Sequence, residues 1–543
     1  MSVCLHCSGK VRIAHSLHTK EDEFVIERRK TVFQSLQKLN INCSEDAVPH
    51  VALLGSGGGQ RAMVGLLGSL VQLDKAGLLD CILYLSGVSG STWCMASLYQ
   101  EPDWSTKLET VKDQIIRRIS GPRVSWEDAL AKLKKYYYEK DHFSLTDVWA
   151  VMVVTEYVKE IDEGKLSDQW DQHNKDPFPI YTVIDKQCKQ CKDEEDPWFE
   201  ISPHEAGYSL TGAFVETSSF GSQFVNGSKK KPQDEMDMLY LQALCGSVLA
   251  DGDKNKEFLW QKIKGEAEFE DLLLPKGYQV LMDLVDMNLA VLNGKDPSDL
   301  DQSIRNTLNE LSGGKSQLIF PIEKLNLKDK EAAVRYMNEH TEDVCKNLSH
   351  RFSSWPFDVL ESIQECMVQW IWGRKYDFLQ NMNDEALPST LLESEMRDYE
   401  DAGLLLNSPY FPVLRKERNT DLIISLDFSE GDPFMTVREA AEMCKKRKIP
   451  FPEVNIPSED VKKPKDFYVF KGTNTPTVIH IPLFNVVNCG DIETLRNKYR
   501  TLQVPYSAEM ITDLMEVAGK NISNNREKLL EQIGAAVRQK GHN

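Results

Sequence analysis

The sequence predicts an α/β fold, a central β-sheet flanked by helices, on three observations. Val51–Leu54 is an apolar run that ends in Gly55-Ser56-Gly57-Gly58-Gly59. The segment after it carries Ala62, Met63, Leu66, Leu67, Leu70, Val71 and Leu73 at helical spacing, so the stretch reads as strand, glycine loop, helix. A second apolar run, Cys81–Leu85, enters Gly87-Val88-Ser89-Gly90-Ser91 and then Thr92–Tyr99, which reads as strand, sharp turn, helix. Further along, Pro177–Ile184, Leu422–Leu426 and Thr477–Ile481 are apolar runs of strand length, as expected for inner strands covered on both faces.

A serine between glycines at a strand-to-helix turn is the nucleophile-elbow pattern. Such a turn is tight enough that its neighbours must be nearly free of side chains, which Gly87 and Gly90 satisfy. Backbone N–H groups with partial positive charge then point toward the serine from the start of the following helix. The motif ends in Ser91 where the usual pattern ends in glycine, and taken alone it is compatible with a plain strand–helix turn. The glycine loop one β-α-β unit earlier adds a second feature. Consecutive glycines at a helix start let N–H groups cradle an anion or a developing oxyanion. Two nucleotide motifs fail on residues. No Gly-Lys pair follows as a Walker A loop requires, and Gln60 stands where the dinucleotide fingerprint needs its last glycine.

The remaining elements follow in order. Residues 1–23 read as an N-terminal tail and Phe24–Leu39 as a helix with Val25, Val32, Leu36 and Leu39 on one side. Lys107–Lys140 is helical in pattern, and Leu145–Val158 is apolar and expected to be buried. Asp251–Leu348 is charged and mostly helical, with exposed connections at Leu311–Lys315 and Asn326–Glu331. Trp370, Trp372 and Phe378 are expected to pack inside. Met435–Lys448 reads as a helix, Tyr468–Lys471 as a strand and Ser507–Gln539 as mainly helix.

With 543 residues and 41% hydrophobic content, the chain is long enough for a large core. A net charge of −19 argues against nucleic acid as a partner and against a surface drawn broadly to anionic lipid. No charged-then-apolar leader and no membrane-spanning run is present, so the twelve cysteines are expected to be reduced thiols in a cytoplasmic protein. Cys4-x-x-Cys7 and Cys188-x-x-Cys191 are too far apart to read as one zinc site, and no metal is expected. The C-terminal Gln539–Asn543 lacks the cysteine of a prenylation signal.

Gly55–Met63 (GSGGGQRAM) followed by Ser86–Trp93 (SGVSGSTW) resembles the catalytic core of the group IV cytosolic phospholipases A2. More blocks match in order: Ser144–Ala150, Trp198–Val215, Phe220–Phe224, Asp401–Leu414, Asp421–Phe434, Arg447–Val454 and Val478–Asn485. The resemblance runs from about Glu27 to the C-terminus with a weaker stretch in the middle. It is nearest to the branch without an N-terminal calcium-binding module, and no such module is expected in the fifty residues before the glycine loop.

The resemblance implies a patatin-like mixed central sheet and one catalytic domain over 24–543, with a helical cap or lid insertion around 225–349. It implies a Ser–Asp dyad of Ser89 and Asp401, with Gly58 and Gly59 as oxyanion donors. Arg61 and Arg418 match arginines that would bind the substrate phosphate or stabilise charge near the dyad. The implied function is calcium-independent hydrolysis of fatty acyl esters of glycerophospholipids through an acyl-serine, without metal or organic cofactor. The implied partner is a phospholipid membrane surface met peripherally and transiently. Lysophospholipase or transacylase action by the same dyad is the alternative within enzymes. A catalytically inactive lipid-binding protein is the alternative outside them. His204 and His480 fall in matched blocks, but neither stands in a motif that marks a general base.

Overall fold

The apolar runs become strands because their side chains have no solvent face. All five residues of Val51–Gly55 and all eight of Phe178–Asp185 are buried, as parallel strands covered on both sides require. The computed structural model describes residues 9–190, 196–250, 255–267, 276–315, 318–349 and 355–542. Its strands in chain order are β1 (Arg12–Ile13), β2 (Val51–Gly55), β3 (Tyr84–Gly87), β4 (Phe178–Asp185), β5 (Trp198–Ile201), β6 (Glu205–Tyr208), β7 (Ala213–Glu216), β8 (Gln223–Val225), β9 (Ser228–Lys231), β10 (Arg374–Tyr376), β11 (Met396–Asp401), β12 (Leu422–Asp427), β13 (Tyr468–Phe470) and β14 (Thr477–Pro482).

Twelve of these form one mixed sheet in the order β1-β7-β6-β5-β4-β3-β2-β12-β14-β13, with β11 beside β4 and β10 beside β11. β14, β12, β2, β3 and β4 run parallel. The neighbours of β4 toward β1, and β13 at the far end, are antiparallel. The carboxyl ends of the parallel strands therefore lie along one edge of the sheet, where open α/β sheets carry their ligands.

Two helices matter for that edge. The helix Gly59–Lys75 follows the glycine loop and is buried on nearly all sides, as its apolar sequence dictates. It packs against Ala508–Ser523 so closely that a Cβ on Gly68 would stand 2.7 Å from the Met515 carbonyl oxygen. The helix Gly90–Leu98 follows β3 and is fully buried.

By its contacts the chain divides into two compact units. The sheet unit comprises Met1–Val124, Val153–Val248 and Lys375–Asn543. The second comprises Ser125–Met152 and Leu249–Arg374 and is helical. Its core joins Val280, Leu281, Leu284 and Met287 to Ile304, Leu308, Tyr336 and Val344. This unit overlaps the insertion expected around 225–349. It also takes in Trp370 and Trp372, which are buried as expected, as is Phe378 in the sheet unit.

Some local expectations are corrected. Of the segment expected as a tail to residue 23, residues 1–8 lie outside the described residues and 9–23 belong to the sheet unit. β1 pairs with β7, and a helix already begins at Thr19 with Glu21 buried inside. Cys81–Leu85 is not one strand. Leu79–Cys81 is a single helical turn and the strand is Tyr84–Gly87, running to the elbow itself. Cys4, Cys7 and Cys191 lie outside the described residues, and the buried Cys188 thiol instead accepts a hydrogen bond from Arg397 at 3.1 Å. No described helix is long and apolar enough to cross a membrane.

Candidate active site

The register of β2 and β3 places Gly55 opposite Gly87, so the glycine loop and the elbow leave the sheet side by side. Their contact is intimate. A Cβ on Gly90 would fall 1.9 Å from the Gly59 carbonyl oxygen, and one on Gly57 would fall 3.1 Å from the Ser89 Cβ. Only glycine at position 90 lets the two backbones meet. Ser91, which breaks the usual elbow pattern, donates through its hydroxyl to the Ser56 carbonyl at 2.6 Å and ties the elbow helix to the loop.

Ser89 holds φ 51° and ψ −121°, a conformation that an L-residue adopts at a cost of order 1–3 kcal/mol. The flanking backbone supports it: the Val88 N–H donates to Gly55 O at 3.0 Å and the Thr92 N–H to Ser89 O at 2.9 Å. The side chain thus stands ahead of the first turn of Gly90–Leu98.

In the glycine loop, the amides of Ser56 and Gly57 are engaged, donating to Leu426 O at 3.1 Å and Asn407 O at 3.0 Å. Gly58 (φ 154°) and Gly59 (φ 56°) occupy the cap and first position of the next helix, where N–H groups have no carbonyl four residues back. The start of this helix, with its positive dipole end, therefore lies in the loop that packs against Ser89.

β11 delivers Asp401 from the far side. Both β3 and β11 pair with β4, β3 parallel with Gly87 opposite Tyr181 and β11 antiparallel with Asp401 opposite Val183. The two strands thus run toward each other along the same border of β4. Their ends stop two residues apart, roughly 7 Å along the strand. Thr182, between the two positions, donates from its hydroxyl to Gly87 O at 2.8 Å.

Asp401 is 1% exposed. Its Oδ1 accepts the Gly403 N–H at 2.8 Å, and its own N–H donates to the Ser247 hydroxyl at 3.1 Å. Burial lifts its carboxyl from the usual 3.8 to about 7, opposed by the neighbouring Ser89 hydroxyl and the Gly403 amide. Oδ2 makes no hydrogen bond of ordinary length and angle.

Asn407 is a residue the sequence reading passed over. Its side-chain N–H groups donate to Gly57 O at 3.1 Å and to the Ser429 hydroxyl at 2.9 Å, and its backbone carbonyl takes the Gly57 amide. Its Oδ1 fills the space a Cβ would take at Gly57, 2.4 Å away, and at Gly403, 2.8 Å away. One side chain therefore bridges the glycine loop and the turn after Asp401. Its place in the matched block Asp401–Leu414 was the available signal, but nothing in the residue type pointed to the clamp.

The two arginines are engaged by the protein itself, Arg61 behind the glycine loop and Arg418 away from it. Arg61 is 1% exposed, and its guanidinium is committed to Phe428 O at 2.6 Å, Tyr499 O at 2.7 Å and the Thr501 hydroxyl at 3.2 Å. It lies behind Gly58, whose Cβ would sit 2.9 Å from Arg61 Nη2, and so props the loop from the protein side. Arg418 is not brought to the dyad. Its guanidinium pairs with Glu21 at 2.9 Å and Glu200 at 2.5 Å and lies 5.4 Å from the Tyr84 ring, at the start of β3, whereas Ser89 follows its end. Two buried carboxylates enclose a cation that the resemblance assigned to substrate phosphate or to charge near the dyad.

The histidines of the matched blocks also have structural explanations. His204 stacks on His18 with ring centroids 5.3 Å apart, and burial lowers it to about 3. His480 stands 3.1 Å from the Ser425 hydroxyl and 3.6 Å from Asp427, a set that looks like a triad on paper. Its Nε2 is held at 2.6 Å by Pro433 O, and all three side chains are buried within adjacent strands, so the set braces the sheet.

Comparisons with known proteins agree with this architecture. The family profile described as a lysophospholipase catalytic domain matches residues 51–249. Cytosolic phospholipase A2 gamma of Mus musculus is 31% identical across 97% of this chain and 93% of its own length. The Homo sapiens protein of the same name is 32% identical across 97% and 96%. Among solved structures, human GIVD cytosolic phospholipase A2 superposes with a TM-score of 0.67 at 22% identity, over 98% of this chain and 67% of that one, a likeness of fold.

Proposed function

The chain belongs to the cytosolic phospholipase A2 family, and on that premise we propose that Ser89 and Asp401 form the dyad that performs its acyl-ester hydrolysis. Membership makes the protein a phospholipase of the phospholipase A2 and lysophospholipase class. The residues that carry the reaction, its calcium independence and its membrane contact are the parts proposed here.

Asp401 in its ionised form takes the Ser89 hydroxyl proton as Oγ bonds to the ester carbonyl carbon. The carbonyl oxygen becomes an oxyanion facing the amides of Gly58 and Gly59, where two helix N-termini also favour negative charge. Collapse breaks the ester bond, and the leaving lysophospholipid oxygen takes the proton back from Asp401. Water then attacks acyl-Ser89 with Asp401 as base, releasing fatty acid and regenerating the hydroxyl. A carboxylate near 3.8 would be a weak base for a serine. Burial to about 7 raises its basicity toward the working pH. Arg61 acts as a positioning residue for the loop, and Arg418 supports the fold. In this scheme the charge stabilisation is assigned to the Gly58 and Gly59 amides and the two helix N-termini, and calcium independence is proposed with it.

The end-to-end meeting of β3 and β11 on β4 carries this reading, because it unites residues 312 positions apart (401 − 89) beside the glycine loop. The test is acyl release from phosphatidylcholine and lysophosphatidylcholine vesicles in excess chelator by the parent chain, Ser89→Ala and Asp401→Asn. Loss of about a thousandfold or more in both variants is expected. A variant that keeps most of the activity sinks the dyad, and activity that vanishes in chelator sinks calcium independence.

A further inference from the structure

We propose that the loops leaving the carboxyl edge of the sheet form a membrane-docking face, with exposed aliphatic side chains that enter a zwitterionic phospholipid surface. The inference rests on the phospholipase reading of the same edge and adds where the lipid surface is met.

Among the described residues of the sheet unit, six large apolar side chains are exposed, and five of them share one location. Met435 starts the helix after β12. Val486 and Val487 (58% exposed) lie in the loop after β14. Leu502 and Val504 (79% exposed) lie at the tip of the 499–506 loop. β12 and β14 run parallel to β2 and β3, so their carboxyl ends share the edge that carries the glycine loop and Ser89. The sixth, Ile26, lies on the helix Thr19–Lys38. Scattered exposed aliphatics are ordinary, but a cluster on the edge that carries the reactive groups is not.

The 499–506 loop is fastened to the oxyanion loop. The Gln60 side chain donates to Val504 O at 3.1 Å and accepts the Tyr506 N–H at 2.8 Å, while Arg61 binds Tyr499 O and the Thr501 hydroxyl. The Thr501 N–H donates to Glu430 at 3.0 Å, joining this loop to the one after β12. The Phe484 ring stacks on Tyr499 at 6.2 Å, joining it to the loop after β14. The exposed tips therefore stand on a rigid base, and that base is the catalytic loop.

The charges nearby select the occupant. Asp432 pairs with Arg438, Glu493 with Arg496 at 2.9 Å and Lys498 with Asp513 at 3.5 Å. A face whose charges cancel, on a chain of net charge −19, fits a zwitterionic headgroup layer better than an anionic one. An ester held in a bilayer reaches Ser89 only if the edge around Ser89 meets that bilayer. Aliphatic tips beside the oxyanion loop would bring the two into register.

The test is flotation with phosphatidylcholine vesicles in chelator. The parent chain is expected to partition onto them, and Val487→Glu combined with Val504→Glu to lower partition roughly tenfold. Ile26→Glu is expected to leave it unchanged. Val504→Trp is expected to raise it, because tryptophan favours the lipid–water interface, and this variant decides the matter should the glutamate variants misfold. Equal partition of parent and glutamate variants, an equal loss with Ile26→Glu, or no gain with Val504→Trp would overturn the proposal. So would preference for anionic over phosphatidylcholine vesicles, or a concentration-dependent dimer that Val487→Glu dissociates. Fluorophosphonate labelling of Ser89 without vesicles separates the two readings. Expected partition without labelling removes the dyad and keeps the docking face. Labelling without the partition pattern does the reverse.

Discussion

Arg418 and Glu21 meet in the interior at 2.9 Å, 397 positions apart in sequence, and neither side chain is exposed to solvent. Glu200 closes the other side of the guanidinium at 2.5 Å. Deleting one partner of such a group leaves a buried charge uncompensated, at a cost of about 3–5 kcal/mol. Arg418→Ala and Glu21→Ala are each expected to lower unfolding stability by that order in urea titrations, with activity falling in step with folded protein. A raised KM at unchanged stability would return Arg418 to the substrate.

The raised carboxyl of Asp401 predicts an opposed change in stability and activity. Its value is about 7 in the folded chain against an ordinary 3.8. Below about 4 the group is neutral in both states. Between about 4 and 7 the unfolded chain ionises while the folded chain keeps its proton, so the stability its neutral form contributes is lost across that window and is gone once the folded group ionises, on the order of 4 kcal/mol. Asp401→Asn cannot ionise. It is expected to abolish acyl release and yet raise the thermal midpoint at pH 8, with little change at pH 4. Equal midpoints at pH 8 would show that the carboxyl is solvated.

Activity is expected to follow the same titration in the opposite sense. Only the ionised carboxylate can accept the Ser89 proton, so kcat/KM should rise with pH and level off above about 7. Fluorophosphonate labelling rate gives an independent profile of the same ionisation. A rate that falls through this range would point to an acid rather than a base.

Gly90→Ala tests the contact between elbow and loop. The added methyl carbon would stand 1.9 Å from Gly59 O, so one of the two backbones has to move. Oxyanion donors lose their aim over shifts of this size, and a fall in kcat of about a hundredfold is expected. Overpacking should also cost about 1–3 kcal/mol of stability. Near-normal kcat would mean that the loop amides do not serve the reaction.

Asn407→Ala removes the hydrogen bonds to Gly57 O and the Ser429 hydroxyl without touching the dyad. A positioning role predicts a tenfold to hundredfold loss in kcat with KM little changed. Asn407→Asp, which keeps the shape and loses the donor, should resemble the alanine variant. Loss of stability alone, with normal kcat in the folded fraction, would reduce the residue to a structural brace.

The elements nearest the chemistry were also the most legible. Val51–Gly55, the glycine loop and the helix after it announce themselves because each obeys a short-range rule of apolar run, permissive backbone and helical spacing. The second strand starts three residues later than its apolar run because Cys81 closes a helical turn and Ile82 and Leu83 lead out of it, and burial alone does not separate these from a strand. The start of the chain was misread because Arg12 and Glu21 look like solvated charges. In the fold Arg12 pairs with Glu205 at 2.7 Å and Glu21 with Arg418.

Reading residues in order was enough to single out Ser89 and the glycines, since a strained turn and a bare loop are built from neighbours. Asp401 became a candidate only through its matched block. What joins it to Ser89 is that β3 and β11 end against each other on β4, a pairing made between distant segments when the sheet assembles. Folding also decided the state of the charged groups. Withdrawal from water raises Asp401 to about 7, and two buried carboxylates enclose Arg418. Desolvation and long-range pairing depend on what packs around a side chain, and no local pattern of residues records that.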